Sequence, residues 1–386
     1  MAPEQKTVIV GLSGGVDSSV TAMLLSEAGY RVIGVFLHFW SDPTTTITKA
    51  NKCCSIETML QARKVADNLG IAFYSLDLSE VFKEKVVDYF LSAYSQGWTP
   101  NPCIMCNRDI KFGAVLDAFE TFGADYWATG HYAKIAASDQ LPVTSEETKN
   151  KKQKDENAPF GKGGQGDLVY RLFQSKDLDK DQTYFLHALT QDKLQRTLFP
   201  LGDYMKSEVR ELATKLQVEH YGGTYRESQN LCFYAESEPD AFLERNLPSE
   251  LQQPGEIKTR EGKVLGTHRG LFHYTVGQRR GIEIPADRAY YVVGVDLPSN
   301  SLIVGDKNDL LSTECQLSNV TFTRPVSPDE LTDLDVKVRY SKTSVKASLT
   351  DTTLHFSEPV RAVTPGQHAV FYRAGECLGG GVIIRK

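Results

Sequence analysis

The chain has 386 residues, more than one hydrophobic core usually organises, so two or three domains are expected. Hydrophobic residues make up 41% and charged residues 24%, ordinary globular proportions that exclude wholesale disorder. A net charge of −6 argues against a uniformly basic nucleic-acid binder but leaves room for a local basic face.

The polar start, Met1 to Lys6, and the brief apolar run Val8 to Leu12 do not make a targeting segment or a membrane span, so a cytoplasmic protein is expected. Thr7 to Leu12 reads as a strand, followed by a Gly/Ser turn, a helix from Ser18 to Ala28 stopped by Gly29, and a strand from Arg31 to Phe39. This βαβ unit implies a parallel sheet. The alternation continues with a helix over Cys53 to Leu69 ended by Gly70, a strand over Ile71 to Leu78 and an amphipathic helix over Glu80 to Gln96. A loop rich in Pro and Asn, Gly97 to Asn107, then leads to a helix from about Ile110 to Phe122 and a strand through Tyr126 to Thr129.

The stretch Ala137 to Asp167 is polar, charged, Gly-rich and aperiodic, and reads as a disordered insertion. Beyond Tyr221 the helical pattern thins, and short alternating runs appear at Tyr290 to Val295, Ser301 to Val304, Asp335 to Tyr340, Val345 to Leu349, Ala369 to Tyr372 and Gly381 to Ile384. The expected fold class is therefore an α/β N-terminal domain with a doubly wound parallel sheet over 1–226, then a small β-rich domain over 227–300 and a C-terminal β-barrel over 301–386.

The strongest motif is Ser13-Gly14-Gly15-Val16-Asp17-Ser18-Ser19, set between a strand and a helix. Two glycines let the backbone approach an anion, the helix N-terminus offers free N–H groups, and Ser13, Ser18 and Ser19 add hydroxyls. Asp17 repels phosphate, and its expected task is to hold magnesium that bridges phosphate oxygens. The lysine and spacing of the Walker loop are absent, so kinase or GTPase chemistry is not indicated. The motif resembles the pyrophosphatase loop of ATP enzymes that adenylate a carbonyl or carboxylate. That group includes GMP, NAD and argininosuccinate synthetases, tRNA lysidine synthetase and the tRNA thiolases.

The seven cysteines form an odd set, better suited to catalysis or metal binding than to a disulfide framework. Asn101-Pro102-Cys103-Ile104-Met105-Cys106-Asn107 places a C-x-x-C just ahead of a helix, where the dipole favours a thiolate. Cys232 follows Ser228-Gln229-Asn230-Leu231 in a polar, turn-like context. A structural zinc site would need four ligands, and no second C-x-x-C or matched His pair is present. Cys53 and Cys54 read as buried or incidental, and Cys315 and Cys377 as fillers of β-runs.

Taken together, SGGVDSS, NPCIMCN followed by IKFG, ATGHYA, KDQTYFL, LFPLG, Cys232, GQRRGI, TPGQHAVFY and CLGGG resemble the tRNA-specific 2-thiouridylase family in order over nearly the whole chain. The resemblance implies an adenine-nucleotide alpha-hydrolase-like first domain and ATP-dependent 2-thiolation of the wobble uridine of tRNAs for Lys, Glu and Gln. It implies ATP binding by Gly11, Leu12, Ser13, Gly14, Gly15, Val16, Asp17, Ser18, Leu37 and Gly130. It makes Cys106 and Cys232 the two chemical cysteines, with Cys232 taking sulfur as a persulfide from a cysteine desulfurase or a sulfur-relay protein. Asn101, Pro102 and Cys103 would touch the target base. His131, Lys180, Asp181, Gln182, Arg339, Tyr340 and Gln367 would contact tRNA.

One position departs from the pattern. Familiar bacterial members carry aspartate where Cys103 stands, so this chain has C-x-x-C for D-x-x-C. Two sulfur routes are then open: a persulfide on Cys232, or a [4Fe–4S] cluster held by Cys103, Cys106 and Cys232 with one iron left for sulfur. A non-thiolating adenylating synthetase and a zinc-bearing RNA-binding module are the further alternatives. Between Lys258 and Arg288, seven basic residues (258, 260, 263, 269, 279, 280, 288) face three acids (261, 283, 287), which suggests a phosphate-binding patch. The turn at Gly277-Gln278-Arg279-Arg280-Gly281 projects two of them, and Tyr340 beside Arg339 offers a ring for stacking.

Overall fold

A computed structural model describes residues 5–43, 55–118, 123–138, 168–216, 231–234, 239–285 and 288–385. The segment read as a disordered insertion lies almost wholly outside the described residues, as do Cys53 and Cys54.

The first unit is built on strands β1 (Thr7–Gly11), β2 (Arg31–His38), β3 (Ala72–Asp77) and β4 (Tyr126–Ala128). A hairpin of β5 (Lys134–Ala137) and β6 (Tyr170–Phe173) comes next, and then the short β7 (Thr197–Leu198). The sheet runs β3-β2-β1-β4-β7 with every pairing parallel. Val8, Ile9 and Val10 are all within 1% of complete burial, as a central strand covered on both faces requires. Helix α1 (Val16–Glu27), α2 (Ile56–Leu69) and the helix Lys206–Thr214 cover one face through Val20, Met23, Val65, Val209 and Ala213. The other face carries the largest cluster, in which Phe82, Phe90, Ile104, Ile110 and Phe112 pack around Trp127 and Tyr184. The sheet is thus doubly wound, and chain order reverses between β1 and β4. In such sheets ligands bind outside the carboxyl ends of the strands at that switch point.

Two helix boundaries refine the sequence reading. Ser55 caps α2 by accepting a 3.2 Å bond from the Thr58 amide, and Gly70 ends it in the left-handed conformation, as its position in the sequence anticipated. The segment expected to be a loop up to Asn107 is instead helical from Pro102. Pro102–Met105 continues as the π-wound Cys106–Ala114 and then Val115–Ala118. Proline at the first position sacrifices only an N–H that has no intrahelical partner there. Cys103 and Cys106 therefore sit on the first turns of this cysteine helix rather than ahead of it.

Past the first unit, β8 (Gly255–Thr259), β9 (Val264–His268), β10 (Tyr291–Asp296) and β11 (Ser301–Gly305) form a sheet of order β10-β11-β8-β9 around Ile257, Val292, Leu302 and Val304. The last six strands are β12 (Leu311–Phe322), β13 (Leu334–Lys337), β14 (Val345–Thr350), β15 (Thr353–Arg361), β16 (His368–Arg373) and β17 (Glu376–Ile384). They pair in the order β12-β15-β14-β13-β16-β17 and close by β12 against β17, making the anticipated barrel. Cys315 and Cys377 are buried in it, and burial pushes both thiols up, Cys315 to about 12. The β5–β6 hairpin of the first unit docks on the barrel edge through Phe173 opposite Glu376 and Leu172 opposite Cys377.

Candidate functional site

The phosphate loop leaves β1 and turns into α1 at Gly15, whose extended backbone (φ −85°, ψ 161°) serves as the N-cap. Gly14 has φ +76°, and a β-carbon there would lie 2.5 Å from the Thr58 carbonyl oxygen, so both conformation and space demand glycine. Two serine hydroxyls knit the loop to itself: Ser18 donates to the Gly15 carbonyl at 3.1 Å and Ser19 at 2.8 Å. Ser19 is fully buried, which corrects the expectation that its hydroxyl faces the anion. Ser13 is exposed at the mouth, 3.2 Å from the Ser18 hydroxyl.

Asp17 is not an isolated acid. Lys206 Nζ lies 2.7 and 2.8 Å from its two carboxylate oxygens, and the Tyr132 hydroxyl donates to Oδ1 at 2.9 Å. Both partners come from distant sequence: Tyr132 lies within the ATGHYA motif but had no role assigned to it, and Lys206 lies in no motif. Magnesium is held largely by phosphate oxygens and water, so one carboxylate suits it, and Asp17 would take it in exchange for Lys206.

Gly130 joins this loop to the rest of the site. A β-carbon on it would sit 2.8 Å from the Asp17 carbonyl carbon and 2.9 Å from the Ser18 nitrogen. The next residue, His131, bonds Thr129 Oγ1 at 2.7 Å and packs its ring 6.0 Å from Phe112 of the cysteine helix. Burial and the nearby Lys111 ammonium hold the His131 imidazole well below its usual pKa, hence neutral. Leu37, at the end of β2, packs against the same large cluster.

The cysteines divide by environment. Cys103 is exposed, Cys106 is buried in the large cluster and Cys232 is half-buried against it. Cys232 is placed by its neighbour Phe233, whose ring meets Phe82, Phe90 and Phe242 edge-on at 6.1, 5.2 and 5.4 Å. Among the described residues, no three His, Cys, Asp or Glu side chains are gathered closely enough to hold a metal ion. Cys103, Cys106 and Cys232 are all among the described residues.

The residues expected to contact tRNA fall into two groups. Lys180, Asp181 and Gln182 lie beside Tyr340, whose hydroxyl donates to the Asp181 carbonyl at 3.4 Å and whose ring is tilted at 45° against Phe185 with centroids 4.6 Å apart. Arg339 and Tyr340 are exposed there. Asp181 itself is 2% exposed, and its carboxylate accepts from Gln174, Thr183 and the Ser175 amide. Its side chain is an internal brace, so any tRNA contact at this position falls to its backbone. Gln182 is bound on both sides to Tyr132, its amide N–H to the carbonyl at 2.9 Å and its Oε1 to the amide at 3.0 Å. Gln367 stands apart, with Nε2 donating to the Thr99 carbonyl at 2.7 Å.

The basic stretch of the central sheet is partly neutralised within the molecule. Lys258 pairs with Glu256, Arg260 with Asp309 and Arg269 with Asp240, while Arg279 and Arg280 are exposed on their turn. No described helix is long and apolar enough to cross a membrane.

Comparison with known proteins matches three family models in succession: a tRNA methyl transferase HUP domain over residues 6–236, a tRNA methyl transferase PRC-barrel domain over 240–306 and an aminomethyltransferase beta-barrel domain over 312–383. A tRNA-specific 2-thiouridylase of Clostridium tetani is 39% identical over 384 residues, covering 98% of this chain and 99% of the relative. Another, from Caldanaerobacter subterraneus, is 40% identical over 385 residues, covering 98% of each chain. A third, from Carboxydothermus hydrogenoformans, is 40% identical over 388 residues, covering 99% of this chain and 98% of the relative.

Proposed function

This chain belongs to the tRNA-specific 2-thiouridylase family, ATP-using tRNA sulfurtransferases, and from that premise we propose that it thiolates the wobble uridine of tRNAs for Lys, Glu and Gln by way of a cysteine persulfide. One observation carries the reading: Gly130 presses on Asp17 and Ser18 of the phosphate loop while its neighbour His131 packs on Phe112 of the cysteine helix. The phosphate loop and the thiol-bearing helix are thus linked through two adjacent residues. Methyl transfer, which the family-model description names, calls for neither.

A uridine C2=O is a poor leaving group. Its oxygen attacks the α-phosphate of ATP, pyrophosphate departs, and C2 then carries AMP as a good leaving group. The N–H groups of the loop and Lys206 face the charge that builds on pyrophosphate, while Ser13 offers its exposed hydroxyl. Magnesium, when bound, adds charge neutralisation between the phosphates. Asn101, Pro102 and Cys103 flank the base, which an anticodon loop releases from its stack at little cost. Lys180, Arg339, Tyr340 and Gln367 hold the RNA, with Arg279 and Arg280 on its backbone.

Sulfur transfer then needs two thiols. The terminal sulfur of a Cys232 persulfide, loaded by a cysteine desulfurase or sulfur-relay protein, attacks C2 and expels AMP. The Cys106 thiolate attacks Cys232 Sγ, the S–S bond to the base breaks, and the new sulfur stays on C2. A Cys106–Cys232 disulfide results and is reset by an external thiol reductant supplying two electrons. This route uses the two thiols that share the large apolar cluster and leaves the exposed Cys103 outside the exchange.

The test is mass analysis of wobble nucleosides in tRNA from cells with and without the protein. The expected result is loss of 2-thiouridine derivatives from tRNAs for Lys, Glu and Gln in its absence. Unchanged thiolation there would refute the proposal.

A further inference from the structure

Four residues before Cys103, the chain is held by all three of its folded units at once. The Thr99 amide donates to the Pro365 carbonyl of the barrel at 2.9 Å, and its own carbonyl accepts from Gln367 Nε2 at 2.7 Å. Its hydroxyl lies 3.3 Å from the hydroxyl of Thr275, at the start of the central unit's basic turn. That turn is itself organised, since the Thr275 amide donates to Gln278 Oε1 at 3.0 Å and Gln278 Nε2 donates to the Arg280 carbonyl at 2.9 Å.

The fit around Thr99 leaves no slack. Gly366 has φ +90°, and a β-carbon on it would lie 2.9 Å from both the Thr99 nitrogen and Trp98 Cβ. Gly97 has φ +68°, and a β-carbon there would come within 2.5 Å of Val295 Cγ2 in the central sheet. A β-carbon on Gly277 would likewise meet Ala362 of the barrel at 2.8 Å, so the two β-units touch each other beside the same point.

The chain just beyond Thr99 is stiff. Pro100 and Pro102 each lock φ near −65°, and each restricts the residue before it, Thr99 and Asn101, to extended backbone. Asn101 is indeed extended (φ −113°, ψ 90°) as the helix N-cap. An orientation imposed at Thr99 therefore passes with little loss to the start of the cysteine helix.

We propose that Thr99 is a positioning residue: a three-way clasp through which RNA seated on the two β-units sets where Asn101, Cys103 and Cys106 meet the target base. The inference rests on the function proposed above, in which those residues flank the base and Gln367 and the basic turn face RNA. An RNA contact at Gln367 or at Arg279 and Arg280 then acts on the arm directly, through the bonds that hold Thr99. The clasp serves kcat more than RNA affinity, because Thr99 itself is tied to protein groups and, of the residues assigned to RNA, only Gln367 is bonded to it directly.

The test uses the full chain, an unmodified tRNA transcript, ATP and a small-molecule persulfide donor, with Gly366→Ala, Thr99→Ala and Thr99→Ser compared with the parent. Gly366→Ala is expected to lower kcat for 2-thiouridine at least tenfold with tRNA Kd within about twofold, and to raise the pyrophosphate released per thiolated base. Thr99→Ala, which spares the backbone bonds, should lower kcat about threefold. Thr99→Ser keeps the hydroxyl and should restore the parent value. Should Gly366→Ala fail to fold, the Thr99 pair decides by the same criteria. Parent-like kcat in Gly366→Ala and Thr99→Ala overturns the proposal, and so does a fall in tRNA affinity that matches the fall in rate. A parent that makes no 2-thiouridine removes the function reading itself, and this inference with it.

Discussion

Lys206 and Asp17, 189 positions apart in sequence, form a chelated ion pair in which one ammonium spans both carboxylate oxygens at 2.7 and 2.8 Å. The pair places a buried cation at the phosphate loop, which has no lysine of its own. Lys206 is anchored in turn by its amide, which donates to Asp177 Oδ2 at 2.9 Å.

Removing that cation should damage adenylation far more than RNA binding. Lys206→Met is expected to lower tRNA-dependent pyrophosphate release by about 100- to 1000-fold, the range for losing one preorganised charge-stabilising donor. Asp17→Asn and Ser13→Ala should also abolish pyrophosphate release. The tRNA Kd of all three should stay within about twofold, measured by filter binding. Unchanged pyrophosphate release would remove the loop from the mechanism.

The three site cysteines should separate cleanly. On the persulfide route Cys106→Ala and Cys232→Ala are inactive with a persulfide donor, whereas Cys103→Ala keeps substantial activity. Reconstitution under anaerobic conditions, followed by iron analysis, is the companion measurement. About four irons per chain, lost together with thiolation in Cys103→Ala, would favour the cluster route instead.

Two buried histidines should make the fold acid-sensitive. His187 Nε2 and His368 Nδ1 are 3.0 Å apart, and His187 Nδ1 and His368 Nε2 have no hydrogen-bond partner among the described residues. Burial lowers the His187 imidazole to about 3 and His368 well below its usual value, with Arg108 adding repulsion to both. The unfolded chain binds these protons from about pH 6.5 downward and the folded chain does not, so stability is full above that pH and falls as pH drops. The expected slope is about 1.4 kcal/mol per pH unit for each imidazole between about pH 6 and 4. Glu330, held at about 2 by Arg324, titrates below this window. Urea unfolding at pH 7.5 and 5.0 checks the loss, and His187→Phe should reduce it by one imidazole's share.

Arg324 is the main charged brace of the barrel. It bonds Glu376 at 2.6 and 3.0 Å and Glu330 at 2.6 Å, and Glu376 also faces Arg171 of the docked hairpin at 3.6 Å. Arg324→Met leaves Glu376 buried beside a more distant cation, a change that typically costs about 3–5 kcal/mol. A marked fall in Tm is expected, whereas Lys342→Ala, which breaks an exposed pair with Asp179, should leave it unchanged.

Excising residues 139–167 should cost little stability. The ends are already tied: the Ser138 amide donates to the Val169 carbonyl at 2.9 Å, and the β5–β6 ladder runs from Lys134 opposite Phe173 to Ala137 opposite Tyr170. A two-residue Asn-Gly turn can close such a hairpin. A Tm within a few degrees of the parent is expected, and cooperative loss of folding would show that the segment is packed. A weaker tRNA Kd would show that it contacts RNA.

Local signals carried much of this protein. The strand, Gly/Ser turn and helix from Thr7 onward, the glycine stop at Gly70, and the alternating runs after Tyr290 are all short-range patterns, and they specified a parallel α/β unit followed by β-rich units. SGGVDSS and NPCIMCN could be picked out for the same reason, because each is confined to seven consecutive residues. What sequence could not supply was pairing across distance. Lys206 reaches Asp17 only because its helix packs on α1, and Tyr132 reaches it only because β4 lies beside β1. The resemblance set Asp181 among the residues that contact tRNA, and the fold turns its carboxylate inward onto Gln174, Ser175 and Thr183. Pro102 read as a loop residue until the helix formed behind it, since proline suits a loop and a helix start equally well. Thr99 carries no motif at all, and its part is set by where the sheet and the barrel come to rest against one short segment of chain.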